Sequence, residues 1–180
     1  NSGGLVATTT TDGSGAYEFI DIFPGDYFVR VTRPGSALDF TQQDQGADET
    51  DSDVPQGGST GDTETFSLST NEVKNNMDAG VIYPAVFGNF AWEDMDGDGV
   101  QGGGEPGIDG VSISLSGTDN AGAAVSLNQS TNSSGIYQFT NLRPGTYTAT
   151  FTTPTGYEVT PQNAGGNDAA DSDVNPTNGQ

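Results

Sequence analysis

Apolar side chains in this chain recur at every second position, with hydroxyl-bearing residues between them. Val111, Ile113 and Leu115 alternate with serines, Tyr147, Ala149 and Phe151 alternate with threonines, and Phe66 and Leu68 show the same pattern over a shorter run. A period of two is that of an extended strand with one face buried and the other in water. Clusters of Gly, Pro, Asn and Asp, such as Arg143-Pro144-Gly145-Thr146, separate these runs at the spacing of turns. No segment carries apolar residues at the helical period, and the 27 glycines oppose helix formation, each by about 1 kcal/mol relative to alanine. The pattern predicts an all-β chain of short antiparallel strands folded as sandwiches. Tyr17, Phe19, Tyr27, Tyr137, Phe139, Tyr147 and Phe151 occupy inward positions of these alternations and are expected to fill the cores.

The elements recur. Thr11-Asp12-Gly13-Ser14-Gly15-Ala16-Tyr17-Glu18-Phe19 returns as Thr131-Asn132-Ser133-Ser134-Gly135-Ile136-Tyr137-Gln138-Phe139, and Phe23-Pro24-Gly25-Asp26-Tyr27 returns as Arg143-Pro144-Gly145-Thr146-Tyr147, both 120 residues later. After a one-residue slip near Phe40 and Val159, Asp51-Ser52-Asp53-Val54 returns as Asp171-Ser172-Asp173-Val174 at the same offset. A fixed period of this kind marks a tandem array. Residues 84–128 have no earlier copy and residues 59–83 no later one, so the expected division is residues 1–83 as the later part of one sandwich repeat and residues 84–180 as the earlier part of the next. The boundary falls near Tyr83-Pro84-Ala85, with the new repeat opening its first strand at Val86. The chain reads as an internal or processed piece of a longer one.

Charge narrows the function. Lys and Arg number 4 against 25 Asp and Glu, a formal net charge of -21, which argues against nucleic acid and anionic membranes as partners. The excess is even: residues 1–83 carry 14 acids and 3 bases, residues 84–180 carry 11 and 1. A general acidic surface suited to a saline habitat explains part of it. Cysteine and histidine are both absent, which removes disulfides, zinc-thiolate sites and the usual general base. Oxygen ligation is what remains. No run approaches the roughly 20 apolar residues of a membrane span, and the first six residues do not form a signal peptide.

Residues 94 to 105 read Asp-Met-Asp-Gly-Asp-Gly-Val-Gln-Gly-Gly-Gly-Glu, a full D-x-D-x-D-G-x5-E calcium loop with nothing helical beside it. Calcium takes six to eight oxygens, and the loop offers the carboxylates of Asp94, Asp96 and Asp98, the carbonyl of Val100 and a bidentate Glu105. Gly99 stands where the loop must turn sharply. The competing reading is a flexible acidic turn. A second set, Asp48, Asp51 and Asp53 with their copies Asp168, Asp171 and Asp173, puts alternate carboxylates on one side of an extended loop, enough for part of an oxygen site completed from a distant loop. Asp44 and Asp109 are weaker candidates to complete it, and a solvated acidic turn is the alternative. Asp12 and its counterpart Asn132 read as turn residues. Trp92, next to the loop, is expected to pack beneath it. Catalysis is not expected. The serines have no histidine to activate them, the only lysine is Lys74, and the carboxylates cluster in cation-shaped loops rather than as a hydrolytic pair.

With the repeat laid out, the run Phe87-Gly88-Asn89-Phe90-Ala91-Trp92-Glu93-Asp94 into the acidic loop resembles the B-type repeat domain of serine-aspartate-repeat bacterial surface adhesins. So do Glu105-Pro106-Gly107-Ile108-Asp109-Gly110-Val111, Ser134-Gly135-Ile136-Tyr137-Gln138-Phe139, Arg143-Pro144-Gly145-Thr146-Tyr147 and the Asp-Ser-Asp-Val segments. The resemblance implies prealbumin-like, Cna-B-like (Ig-like) antiparallel β-sandwich repeats, several Ca2+ ions per domain, and an extracellular stalk, adhesin spacer or filament subunit. It places Asp94, Asp96, Asp98, Val100 and Glu105 at the family's main calcium site. The expected partners are neighbouring repeats or copies of the chain, including a filament joined by strand exchange. A carbohydrate- or host-ligand-binding module on the same calcium-braced sandwich is the alternative function. A related class of surface domains locks its sandwich with a lysine–asparagine isopeptide bond, and residues 84–180 contain no lysine to make one.

Overall fold

The computed structural model describes residues 4–180. All regular structure among them is extended, with no helix. The chain divides into two compact units, Asn1–Ile82 and Tyr83–Gln180, and the proline that follows Tyr83 marks the change of repeat.

The first unit holds six short strands: β1 (Gly25–Tyr27), β2 (Arg30–Thr32), β3 (Asp39–Phe40), β4 (Thr60–Asp62), β5 (Phe66–Leu68) and β6 (Val81–Ile82). They pair antiparallel as β1 with β5, β2 with β4 and β3 with β6. The β1–β5 and β2–β4 ladders form one run, because at their junction Thr63 N–H donates to Val29 O at 3.0 Å and Val29 N–H to Thr63 Oγ1 at 3.1 Å. Phe40 and Val54 are fully buried, with Ala37 and Ile82 beside them. Tyr17, Phe19 and Tyr27, expected as core, are only half-buried. Tyr17 donates its hydroxyl to Met77 O and Tyr27 to Phe23 O, so each ring lies at the rim with its polar end satisfied.

The second unit is a sandwich of longer strands: β7 (Ala85–Phe90), β8 (Ser112–Asp119), β9 (Ala124–Ser130), β10 (Ile136–Leu142) and β11 (Gly145–Thr152). One sheet runs β11-β8-β9 and the other pairs β10 with β7, all antiparallel. The period-two pattern decides which faces meet. Val111, Ile113 and Leu115 point inward from β8 and the residue before it. They meet Tyr137, Phe139 and Leu142 of β10, with Ala91, Ile108, Tyr147, Ala149 and Phe151 against them. The intervening serines of β8 are exposed. Ring contacts knit the two sheets, Tyr137 standing edge-on to Phe151 at 5.5 Å between centroids. The turn expectation for Asp12 and Asn132 holds: Asp12 Oδ1 accepts the N–H groups of Ser14 and Ala16, and Asn132 Oδ1 those of Ser134 and Ile136.

Candidate metal centres

The acidic loop joins β7 of one sheet to β8 of the other, and its own backbone organises it. Asp94 Oδ1 accepts the N–H of Gly97 at 2.7 Å and of Asp98 at 3.3 Å, and its Oδ2 accepts Gly99 N–H at 2.8 Å. Asp98 Oδ1 accepts Val100 N–H at 2.7 Å. Gly99 has φ +77°, and a Cβ there would stand 2.6 Å from Pro161 O and 2.7 Å from the Ala164 Cβ. Only glycine allows both that turn and that approach. The result is three carboxylates, Asp94, Asp96 and Asp98, with one oxygen of each within 4.8 Å of the others. Crowding has opposite effects within the trio. The Asp98 charge is the main cause holding the Asp96 carboxyl above its ordinary value. Burial pushes Asp94 up as well, but the amide hydrogen bonds from Gly99, Gly97 and Asp98 outweigh it and leave Asp94 low.

Glu105 stands outside that trio. Its Oε1 accepts Met95 N–H at 2.9 Å and its Oε2 Gly102 N–H at 2.7 Å, so it braces the start and end of the loop with both oxygens. Each oxygen keeps a further lone pair, since a carboxylate has about four acceptor sites. Val100 is held differently. It forms an isolated antiparallel bridge with Asp171, and the bonds of that bridge come from its neighbours: Ser172 N–H to Gly99 O at 2.9 Å and Gln101 N–H to Ala170 O at 2.7 Å. In such a pair the central residue's own N–H and C=O point the other way. The Val100 N–H does reach Asp98, which leaves its carbonyl on the loop side.

The same bridge brings the second cluster alongside. Asp168, Asp171 and Asp173 place one oxygen each within 4.8 Å of one another. Asp171 is only 8% exposed. Its Oδ2 accepts Gly165 N–H at 3.3 Å, while its Oδ1 is buried with no hydrogen-bond partner. Burial, then the charges of Asp168 and Asp171, raise the Asp173 carboxyl.

In the first unit the loop backbone repeats this design. Gln43 bridges Ser52 as Gln162 bridges Ser172, Gly46 N–H donates to Asp51 Oδ2, and Asp44 and Asn163 share a left-handed φ of 55° and 53°. That conformation accounts for Asp44 as a turn residue. The carboxylates gather differently, however. Asp48, Asp51 and Asp53 do not form a three-oxygen group within 4.8 Å. Asp48 instead accepts from the Asn76 side chain, and Asp53 exchanges bonds with Asp78, its N–H donating to Asp78 O at 2.8 Å and its Oδ2 accepting Asp78 N–H at 2.5 Å. Burial, followed by neighbouring carboxylates, raises both Asp53 and Asp78. Asp78 was not among the expected residues. It lies alone in Met77-Asp78-Ala79-Gly80, without the alternate-Asp spacing and in the stretch with no second copy. Asp109 is exposed and belongs to neither trio. Trp92 stacks on Phe90 at 6.2 Å and bridges Gly107 through its backbone.

Two sandwich-type units built on one repeat, with oxygen-rich loops and no helix, define a class of tandem β-sandwich domains with Ig-like folds. Within that class the chain belongs to the SdrD B-like domain family, whose family model matches residues 1–81 and 85–180. Over 179 residues it is 35% identical to serine-aspartate repeat-containing protein F of Staphylococcus epidermidis, covering 99% of this chain and 10% of that protein. Over 185 residues it is 32% identical to serine-aspartate repeat-containing protein D of Staphylococcus aureus strain Newman, covering 99% of this chain and 13% of that protein. The chain thus spans about a tenth of the length of these relatives. No helix among its described residues is long and apolar enough to cross a membrane.

Proposed function

We propose that this chain is a calcium-stabilised structural repeat module of an extracellular surface protein, serving as stalk, adhesin spacer or filament subunit rather than as a catalyst. Asp171 carries the reading. A buried carboxylate with one oxygen lacking any donor, flanked by two further carboxylates, is costly unless a cation compensates it. The donor set consists of oxygens alone, which suits a hard divalent ion. Asp94, Asp96, Asp98, the Val100 carbonyl and Glu105 would hold one ion, and Asp168, Asp171 and Asp173 would contribute to another. The Asp48, Asp51, Asp53 and Asp78 group is the corresponding candidate in the first unit. The ion supplies positive charge that cancels the crowding, and the protein residues orient the loops that receive it.

The mechanism is linkage. An ion that binds folded loops and not the open chain stabilises by about 2.7 kcal/mol at a hundredfold excess over its dissociation constant. That is a large part of the ~5–15 kcal/mol net stability of an ordinary domain. The relatives' names place such units in serine-aspartate repeat proteins, which supports a place in a tandem array at a cell surface, with neighbouring repeats as the first partners. The test is metal analysis of the purified chain together with thermal melts in millimolar calcium and in chelator. Bound calcium above one ion per chain and a clearly higher midpoint in calcium are expected. Equal midpoints would refute the mechanism.

A further inference from the structure

The two acidic loops of the second unit interlock on both sides of the Val100–Asp171 bridge. Gly99 donates its N–H to Asp94 Oδ2 at 2.8 Å, while its carbonyl accepts the N–H of Ser172 at 2.9 Å. One residue thus ties a carboxylate of the first trio to the segment that carries the second. Val100 N–H is held by Asp98 Oδ1 at 2.7 Å, and the next amide, Gln101 N–H, donates to Ala170 O at 2.7 Å. The packing is as close as the bonding. A Cβ at Gly99 would stand 2.6 Å from Pro161 O, and one at Gly165 would stand 3.2 Å from Val100 Cγ2 and 3.5 Å from Asp171 Cβ. Groups packed this tightly transmit displacement. A shift of residues 99–101 therefore moves residues 170–172, and with them Asp171.

Asp171 is where that displacement reaches the second trio. Its Oδ2 accepts Gly165 N–H, and its buried Oδ1 has no hydrogen-bond partner. The first unit shows which carboxylates of this loop other segments serve. Asn76 and Asp78 give donors to Asp48 and Asp53. Asp51, the counterpart of Asp171, receives none from them and takes the Gly46 N–H as Asp171 takes that of Gly165. The position of Asp171 is thus set by its own turn and by the bridge.

We infer, resting on the calcium reading proposed above, that the two cation sites of the second unit are coupled through the Val100–Asp171 bridge. An ion held by Asp94, Asp96 and Asp98 raises the affinity of the Asp168, Asp171 and Asp173 group for the next ion. Fixing residues 99–101 and 170–172 costs conformational entropy once, at the first ion, and the second meets loops already set. Reciprocity requires the same factor in the other direction. Through-space electrostatics acts with the opposite sign, because the first dication weakens the field that attracts the second. Salt screens that field and leaves the bridge intact. Coupling through the bridge therefore survives at high salt.

The experiment titrates calcium into the full chain at about 1 M sodium chloride, where the Debye length is about 3 Å. The amide NMR signals of Gly97 and Gly99 report the first site, and those of Gly165 and Ala169 the second. Asp96→Asn and Asp173→Asn, both at exposed positions, each disable one site. Each should weaken the intact site at least fivefold, the lower end of ordinary coupling, and by a matching factor. Gln101→Pro removes the donor to Ala170 O and should abolish this cross-effect; should that variant unfold, the two Asp variants still decide. Sites that fill independently, a cross-effect confined to low salt, or one that a folded Gln101→Pro chain retains overturns the coupling and leaves the calcium reading standing. Amide signals that ignore calcium at both sites defeat the calcium reading itself, and the coupling with it.

Discussion

Replacing Asp171 by asparagine should act with opposite sign in chelator and in calcium. In the metal-free protein the Asp171 Oδ1 is buried without a donor, beside the carboxylates of Asp168 and Asp173. An asparagine keeps an oxygen for the Gly165 N–H, removes one of three crowded charges, and turns an N–H donor toward the remaining two. An unsatisfied buried group costs about 1–3 kcal/mol, so Asp171→Asn should recover about that much. In a unit the size of Tyr83–Gln180 each kcal/mol moves the midpoint by roughly 4–8 °C. The metal-free melt should therefore rise by roughly 5–20 °C. With calcium present the variant lacks a proposed ligand, and on that proposal the calcium-dependent gain should shrink by about 2.7 kcal/mol at a hundredfold excess of ion over the wild-type dissociation constant. Trp92 is the only tryptophan, so its fluorescence reports the second unit alone. Equal loss of midpoint in chelator and in calcium would mean that Asp171 is a bracket for the Gly165 turn and nothing more.

Gly99→Ala and Gly97→Ala form a matched pair. Both glycines have positive φ, but a Cβ at Gly97 meets nothing within 4 Å, whereas one at Gly99 strikes Pro161 O and Ala164. The first should cost about 1 kcal/mol and the second clearly more, with calcium affinity falling only for Gly99→Ala in a titration. Ile113→Ala removes a fully buried side chain and should lower the second unit's stability by about 2–5 kcal/mol. Denaturant melts followed at Trp92 should show this, with amide protection of β2 and β4 unchanged. The pH profile in chelator should slope downward. Asp53, Asp78 and Asp173, raised chiefly by burial, and Asp96, raised chiefly by Asp98, sit above the ordinary value of 3.8. Their contribution to stability is present below that value and is lost as pH rises through the folded-state values. Asp12, Asp62 and Asp94 are lowered, and theirs disappears only below 3.8. As pH rises above 3.8 the metal-free midpoint should thus fall, and saturating calcium should abolish the fall. A flat profile in chelator contradicts the crowding argument.

Strand periodicity made the second unit legible. Val111, Ile113 and Leu115 are buried and their serine neighbours exposed, because an eight-residue strand between two partners leaves no freedom of face. The first unit obeyed the same pattern less closely. Its strands are two or three residues long, too short for alternation to specify burial, and its aromatics settle at the rim. The acidic loop could be located from spacing, since Gly99 and the three Asp of its trio serve a local turn. Two features depended on contacts between distant segments and left no local trace. One is Asp78, brought to Asp53 by a pair of hydrogen bonds, one backbone to backbone and one to the Asp53 carboxylate, across 25 residues of sequence. The other is the Val100–Asp171 bridge that sets the two clusters of the second unit side by side.

That bridge gives a physical reason for proposing cation sites at these loops. Residues 94–105 connect β7 to β8, strands of opposite sheets, and residues 161–173 follow β11. Gly99, Gln101, Ala170 and Ser172 zip the two segments together, so one end of the sandwich is closed by four backbone groups flanked by six clustered carboxylates. Like charges in a small volume repel, and this repulsion is directed at the part of the fold that lacks apolar contacts. Val111, Ile113, Leu115, Tyr137, Phe139 and Leu142 hold the centre whatever the charge state of the loops. The centre and the closed end thus depend on different forces. Calcium at the loops would convert this carboxylate-rich end of the unit into a clamp between its sheets, adding rigidity without enlarging the core.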